Sequence, residues 1–319
     1  MSTFYLDRRN LMLKIESGTL VVHQNGIFQT RVPLKMLDRV VIRGNAELST
    51  STLAELSSNG IGFLVISGRR GDKIAQLTGS LHNDTNRRIN QYSAYADRLW
   101  RSHQVQRTVA AKLNNQQRLV EKMLLQRPDA RRALTKAKNT IQGIRHQLEE
   151  SSDIDQIRGF EGAAAAAFFK AYTAVLPASL GFSGRNRRPP KDPVNACLSL
   201  AYTLLNSDAV HTCHIVGLDP AIGALHEPAF GRPSLAADMI EPLRPHVDEW
   251  VWYLFRERVL ENHHFSQDGD ACLLIKNGRQ RFYTEWEARA PALRRLLRLG
   301  GHALVKTLAE ATNNATAVS

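Results

Sequence analysis

A chain of 319 residues with 43% apolar side chains and a formal net charge of +12 is long enough for two ordinary domains and apolar enough to give each a core. No apolar run approaches the roughly 20 residues that crossing a bilayer requires, and the opening MSTFYLDRRN lacks the charged-then-apolar layout of a secretory signal. The three cysteines, Cys197, Cys213 and Cys272, form no C-x-x-C pair, so a cytoplasmic location is expected and neither a thiolate metal site nor a disulfide framework is.

The first 80 or so residues read as strands. Across 11–33, apolar runs are separated by Ser17-Gly18 and Asn25-Gly26; the second is a strong hairpin signal, and together they predict a three-stranded meander. Val40-Val41-Ile42 continues the strand pattern, and Thr52 with Glu55 has capping-box spacing at the start of a short helix. An apolar strand over 61–66, a turn over 68–71 and a last strand over 74–77 follow.

Beyond about residue 82 the apolar period lengthens to that of a helix. Val105, Val109 and Leu113 form one stripe, with Val120 and Leu124 as a second i, i+4 pair further along, which predicts an amphipathic helix. Helical patterns recur over 130–148, 162–175, 194–205, 235–260 and 292–308, with a small hairpin expected at Asn277-Gly278. The fold class is α+β: a β-rich N-terminal domain over 1–85, an all-α C-terminal domain over 86–310, and a tail, 311–319, without regular structure.

Charge is distributed unevenly along this plan. Residues 1–160 carry 25 basic against 14 acidic side chains, whereas 161–319 carry 17 against 16. A surplus of this kind suits a polyanionic partner, nucleic acid or an acidic membrane surface, or else a solvated basic face.

Three stretches hold residues suited to chemistry. Gly159-Phe160-Glu161-Gly162 sets a carboxylate at an expected helix start before an alanine run; alone, Glu161 reads as a helix-dipole residue. GLDPAIGALHE, at 217–227, contains Asp219-Pro220, a helix-start signal, and the short helix it opens would deliver His226 near its end. A lone histidine is usually structural or exposed. In SLAADMIEPLRPHVDEW, at 234–250, Asp238 and Glu241 lie three apart on one helical face; such like charges favour an exposed first turn or a cation between them. Taken together, carboxylate oxygens and one imidazole suit Mg²⁺ or Mn²⁺, and such an ion polarises a phosphoryl oxygen.

Basic residues cluster in NRRINQ at 86–91, which holds Arg87 and Arg88, at Lys112 in a K-x-x-N-Q run, and in RNRRPPKDPVN at 185–195, which holds Arg185, Arg187, Arg188 and Lys191. Such clusters make phosphate contacts without reading sequence, or form a solvated or ion-paired surface. His211 with His214, and His263 with His264, read as packing or surface residues rather than ligands. Tyr202 lies on an apolar helix, partly buried, with a hydroxyl able to reach a ligand.

The order GFEG (159–162), FSGRNRRPPKDPVNACLSLAYTLL (182–205) and GLDPAIGALHEPAFGRPSLAADMIEPLRP (217–245) resembles the CRISPR-associated protein one family, the metal-dependent DNA integrase and endonuclease of spacer acquisition. The likeness extends from the N-terminal strands through the KLNNQ helix to about residue 290. The resemblance implies that the N-terminal domain builds a homodimer and the helical domain is catalytic. It implies that Glu161, His226 and Glu241 bind the divalent ion, that Asp238 is a fourth ligand or stands beside them, and that Tyr202 lies near the DNA end.

The resemblance further implies partners and a reaction. Two dimers would join a dimer of CRISPR-associated protein two in a heterohexamer, capture a double-stranded prespacer and insert it at the leader-repeat of a CRISPR array. The nucleophile would be the prespacer 3′-hydroxyl, which accounts for the lack of a side-chain nucleophile motif, and the same site would cut branched DNA. A general branched-DNA repair nuclease and a non-catalytic DNA-binding scaffold are the competing readings. A membrane-surface protein is disfavoured, because the basic residues are not confined to one face of an amphipathic helix.

Overall fold

Alternating apolar and polar side chains fold the start of the chain into two sheets in a computed structural model that describes residues 2–68, 73–77, 82–186 and 189–318. The strands are β1 (Ser2–Leu6), β2 (Leu11–Glu16), β3 (Thr19–Gln24), β4 (Ile27–Pro33), β5 (Leu37–Arg43), β6 (Ala46–Leu48), β7 (Gly62–Ser67) and β8 (Lys73–Leu77), with α1 (Thr50–Ser58) between β6 and β7. The expected meander β2-β3-β4 is antiparallel and gains β6 parallel to β2. Both of its turns place two successive residues at positive φ: Ser17 and Gly18 at 49° and 69°, Asn25 and Gly26 at 50° and 78°. That backbone matches the twist of the flanking strands and explains the small and polar residues found there.

The second sheet has the order β1-β5-β7-β8, parallel except for β8. Leu11, Leu13, Leu20, Val22, Val40 and Ile42 bury one core with Leu56 of α1. The cap of α1 lies three residues earlier than the Thr52–Glu55 spacing indicates, at Ser49, which accepts the Thr52 N–H at 3.2 Å. Of the expected 68–71 turn, only Gly68 lies among the described residues.

The chain divides into two units, Met1–Asn83 with Tyr283–Arg289, and Asp84–Phe282 with Ala290–Ser319. Within the first unit the Tyr5 ring stacks on Tyr283 at 4.4 Å between centroids, and its hydroxyl donates to Glu287 Oε1 at 2.8 Å. Residues 283–289 therefore group with the strands, although a contiguous 86–310 domain was expected. Helical periodicity reveals that a face is buried, not which core buries it.

The second unit contains α2 (Asn86–Ala96), α3 (Arg98–Gln126), α4 (Arg131–Glu150), α5 (Ile154–Val175), α6 (Pro193–Val216), α7 (Ser234–Ile240), α8 (Arg244–Arg256), β9 (Phe265–Asp268), β10 (Ala271–Leu274) and α9 (Lys276–Val318) apart from the 283–289 stretch. It is mostly helical rather than all-α, because β9 and β10 pair as an antiparallel hairpin. That hairpin precedes Asn277-Gly278, which instead opens α9. Gly278 is small for packing, since a Cβ there would meet the His264 carbonyl at 2.5 Å. The helix expected over 235–260 breaks into α7, a 3₁₀ turn at Glu241–Leu243 and α8, with Pro242 and Pro245 removing main-chain donors at the break. At the other end α9 runs to Val318, where residues beyond 310 were expected to lack regular structure. All three cysteines are free and buried. Among the described residues no helix is long and apolar enough to cross a membrane.

Candidate metal and DNA site

Glu161 lies two turns inside α5 rather than at a helix start, because Asp153 caps the helix earlier by accepting the Asp155 N–H at 3.4 Å. The glycines flanking it are not packing residues. A Cβ on Gly159 or Gly162 would meet nothing within 4 Å, so neither position packs against a neighbouring element.

Residues 217–227 form a loop held from several sides, not the short helix expected from Asp219-Pro220. From α2, Gln91 donates to the carbonyls of Asp219 at 2.9 Å and Ile222 at 2.8 Å, and its Oε1 accepts the Asp219 N–H at 2.8 Å. From α5, Arg158 donates to the Leu225 carbonyl at 2.8 Å and pairs with Glu227 at 2.8 Å. At Gly223 the loop comes so close to α7 that a Cβ would stand 2.6 Å from Ser234 C and 2.7 Å from Asp238 Oδ2. These contacts use main-chain groups that a loop leaves unpaired.

Asp238 and Glu241 turn to different partners where α7 tightens into the 3₁₀ turn that opens at Glu241. Asp238 turns to the loop, where it accepts the N–H of Leu225 at 2.9 Å, the N–H of His226 at 3.0 Å and His226 Nδ1 at 2.7 Å. An ionised carboxylate only accepts, so Nδ1 is the donor in this bond, and in the neutral imidazole that leaves the lone pair on Nε2. Asp238 is thereby placed as the group that orients His226.

Glu241 turns instead to Lys112 of α3. Lys112, 6% exposed, donates from its ammonium to Glu241 Oε2 at 2.6 Å and to Glu161 Oε1. Arg244 donates from Nε to the other Glu241 oxygen at 2.6 Å, and Asn115 of α3 donates to the Pro242 carbonyl at 2.8 Å. Burial by itself would raise the Glu241 carboxyl, yet Arg244 and Lys112 hold it down to about 2. Burial opposes the Lys112 charge as well, but the two glutamates outweigh it and move its pKa up.

Tyr202 is buried, and its hydroxyl donates to Asp248 Oδ1. Its ring is a platform for two guanidinium groups, Arg244 at 4.5 Å and Arg185 at 5.5 Å from the centroid. The Asp248 main-chain carbonyl accepts the Tyr172 hydroxyl at 2.8 Å. Burial pushes the Asp248 carboxyl up to about 7, with Tyr202 and Arg244 opposing the shift.

The expected phosphate-binding residues are placed differently from one another. Lys112 is buried among carboxylates rather than facing a polyanion. Arg87 pairs with Asp84 at 3.0 Å and donates to the Val216 carbonyl at 2.9 Å, holding the end of α6. Arg185 donates to Asn195 Oδ1 at 2.8 Å and Ser199 Oγ at 3.1 Å. Arg88 is half-buried on α2, Lys191 is exposed, and Arg187 and Arg188 lie outside the described residues. Arg244 and Asp248 were not singled out from sequence. Glu241-x-x-Arg244 has ion-pair spacing that flags the first, and no sequence signal marks the second.

Among the described residues, no three His, Cys, Asp or Glu side chains stand close enough together to form a ready metal cage. Glu161 and Glu241 nevertheless converge on one positive charge, and the donor set of two carboxylates with an oriented imidazole fits Mg²⁺ or Mn²⁺ in kind.

Residues 4–288 match the model of the family described as CRISPR associated protein Cas1. A CRISPR-associated endonuclease Cas1 of Thermodesulfovibrio yellowstonii is 35% identical over 294 residues, covering 90% of this chain and 91% of that protein. One from Rhodospirillum rubrum is 34% identical over 307 residues, covering 92% and 88%. Among solved structures, a Cas1 protein from Thermotoga maritima superposes with a TM-score of 0.84 at 22% identity, covering 97% of each chain. A casposase bound to integration product gives 0.82 at 20% identity, covering 96% and 91%. A Cas6-RT-Cas1–Cas2 complex gives 0.82 at 21% identity, covering 97% of this chain and 35% of that one.

Proposed function

Because the chain belongs to the Cas1 family, we propose that it is a divalent-metal-dependent DNA endonuclease and integrase that inserts prespacer DNA into a CRISPR array. The observation that carries this reading is the convergence of Glu161 and Glu241, from separate segments, on one cationic centre, together with a histidine whose ring Asp238 orients. Glu161, Glu241 and Nε2 of His226 would hold Mg²⁺ or Mn²⁺. When bound, such an ion stabilises charge on the reacting phosphoryl and hydroxyl oxygens.

The chain's own residues prepare this chemistry. Asp238 keeps the Nδ1 proton in place so that Nε2 stays available, the arrangement that second-shell carboxylates give metal-binding histidines. Glu241 remains ionised at any ordinary pH. Arg244 and Arg185, stacked on the Tyr202 ring, set two fixed positive charges on one platform, suited to a phosphodiester backbone. No side-chain nucleophile is required. The prespacer 3′-hydroxyl gives up its proton and forms the new P–O bond while the bond to the departing strand's 3′-oxygen breaks, and that oxygen takes up a proton in turn. Water in place of the hydroxyl gives cleavage of branched DNA.

Homodimerisation through the β-rich unit, and assembly with Cas2 as a heterohexamer, belong to the same reading. The Cas1 fold's occurrence within a Cas6-RT-Cas1–Cas2 complex and in a casposase bound to integration product is consistent with it. Double-stranded and branched DNA would lie against Arg88, Arg185, Arg187, Arg188 and Lys191.

The deciding experiment joins a labelled prespacer to a supercoiled array plasmid in the presence of Cas2. Glu161→Ala and His226→Ala each abolish metal-dependent joining while the oligomeric state by gel filtration stays unchanged. Undiminished joining by either variant overturns the reading.

A further inference from the structure

We infer that Lys112 is a resident counter-ion exchanged for the divalent metal. Its ammonium holds Glu161 and Glu241 together before the metal arrives, and turns to DNA phosphate once the metal takes the carboxylates, so that metal and DNA bind cooperatively. The inference rests on the metal-dependent reading above.

Two carboxylates brought to one buried point repel each other unless a positive charge stands between them. Here that charge is Lys112, whose ammonium touches Glu161 and Glu241. A buried ammonium is itself costly without partners, so lysine and carboxylates hold one another in position while the metal is absent. The Lys112 contact uses Glu241 Oε2, whereas Arg244 occupies Oε1. Losing Lys112 therefore leaves Glu241 still fixed by Arg244.

Lysine suits this role better than arginine would. Its charge sits at the end of a flexible four-carbon stem and makes no planar bidentate lock. An exit also exists: the Glu161 side chain is 26% exposed, so the Lys112–Glu161 contact reaches solvent on its Glu161 side. Glu161, Glu241, Lys112 and Arg244 together carry no net charge. A divalent cation added to them leaves a positive surplus, which a DNA phosphate neutralises. Because coupling between two binding sites is reciprocal, metal then tightens DNA and DNA tightens metal.

The test is a titration of full-length protein with Mn²⁺ alone, followed by electron paramagnetic resonance, with and without a short blunt DNA duplex. In the wild type the duplex tightens Mn²⁺ binding. Lys112→Gln and Lys112→Met each bind Mn²⁺ about tenfold tighter than wild type without DNA, a coupling of ordinary allosteric size, and lose the further tightening by the duplex. Variants that bind Mn²⁺ no tighter overturn the inference. So do variants that bind it tighter yet keep the duplex effect, since general electrostatics then explains the gain. A wild type that binds no Mn²⁺ overturns the metal-dependent reading itself, and the inference with it. Should both variants fail to fold, reductive methylation of the wild type read by mass spectrometry decides. Labelling of Lys112 rises several-fold on adding Mg²⁺, and unchanged labelling overturns the exchange.

Discussion

Asp238 holds His226 on a single carboxylate oxygen, which accepts both the His226 main-chain N–H at 3.0 Å and ring Nδ1 at 2.7 Å. The other oxygen takes the N–H of Leu225 at 2.9 Å, so loop and ring are fixed by one side chain. Asp238→Asn replaces one acceptor with a donor at nearly constant volume. Mn²⁺ affinity and strand joining should both fall by about 10–100-fold, the usual effect of losing such a supporting carboxylate, with little change in circular dichroism. An unchanged affinity would mean that something other than Asp238 orients the ring.

The close approach at Gly223 makes a contrasting pair of variants. Gly223→Ala drives a methyl against Ser234 and Asp238, and should destabilise the protein by about 1–3 kcal/mol in urea unfolding, the range for overpacking, while lowering activity. Gly159→Ala adds a methyl where α5 borders open space, and should stabilise by roughly 0.5–1 kcal/mol, because glycine in a helix interior loses more backbone entropy. Equal effects of the two would contradict the packing described for the loop.

Asp248 and Glu241 give stability opposite dependences on pH. The Asp248 carboxyl, raised from 3.8 to about 7 by burial, binds its proton more tightly folded than unfolded. Its contribution is fully present below about pH 4 and is lost as pH rises through about 7. Glu241, lowered from 4.5 to about 2 against the pull of burial by Arg244 and Lys112, contributes stability above about pH 4.5 that is lost as pH falls through about 2. Urea midpoints measured from pH 4 to 8 should therefore carry a downward component that Asp248→Asn removes, since the amide keeps an acceptor for the Tyr202 hydroxyl. A profile identical to wild type would place the titration elsewhere.

Arg187 and Arg188 belong to the basic 185–195 loop and are expected to neutralise phosphate. Alanine at both should weaken duplex binding and flatten the dependence of log affinity on log salt by about 0.9 for each phosphate no longer neutralised. Fluorescence anisotropy across a salt series measures this directly, and an unaltered slope removes the two arginines from the DNA surface.

Much of this was legible in the sequence, for identifiable reasons. Asn25-Gly26 announces its turn because few other pairs adopt two successive left-handed conformations. Glu161, His226, Asp238 and Glu241 stand where regular patterns break, so they drew notice as residue types suited to one ion. Their pairing was hidden, since Lys112 lies 49 residues from Glu161 and 129 from Glu241 on a helix whose period shows nothing unusual. The Asp219-Pro220 signal misled because Gln91, remote in sequence, satisfies the loop's main-chain groups and makes a helix unnecessary. The spacing reads Asp238 and Glu241 as a like-charged pair sharing one cation, whereas the fold gives each its own partner, His226 for Asp238 and Lys112 with Arg244 for Glu241.

The placement of Tyr283–Arg289 with the N-terminal strands bears on inheritance. A gene fragment ending at residue 83 would encode Tyr5 without the ring it stacks on or the carboxylate its hydroxyl meets. Recombination between relatives at that junction would likewise pair strands from one parent with a Tyr283 and Glu287 from another. The β-rich unit is therefore completed by a short stretch of α9 that lies about 200 positions further along the chain, so the first 83 residues alone do not carry all of its contacts.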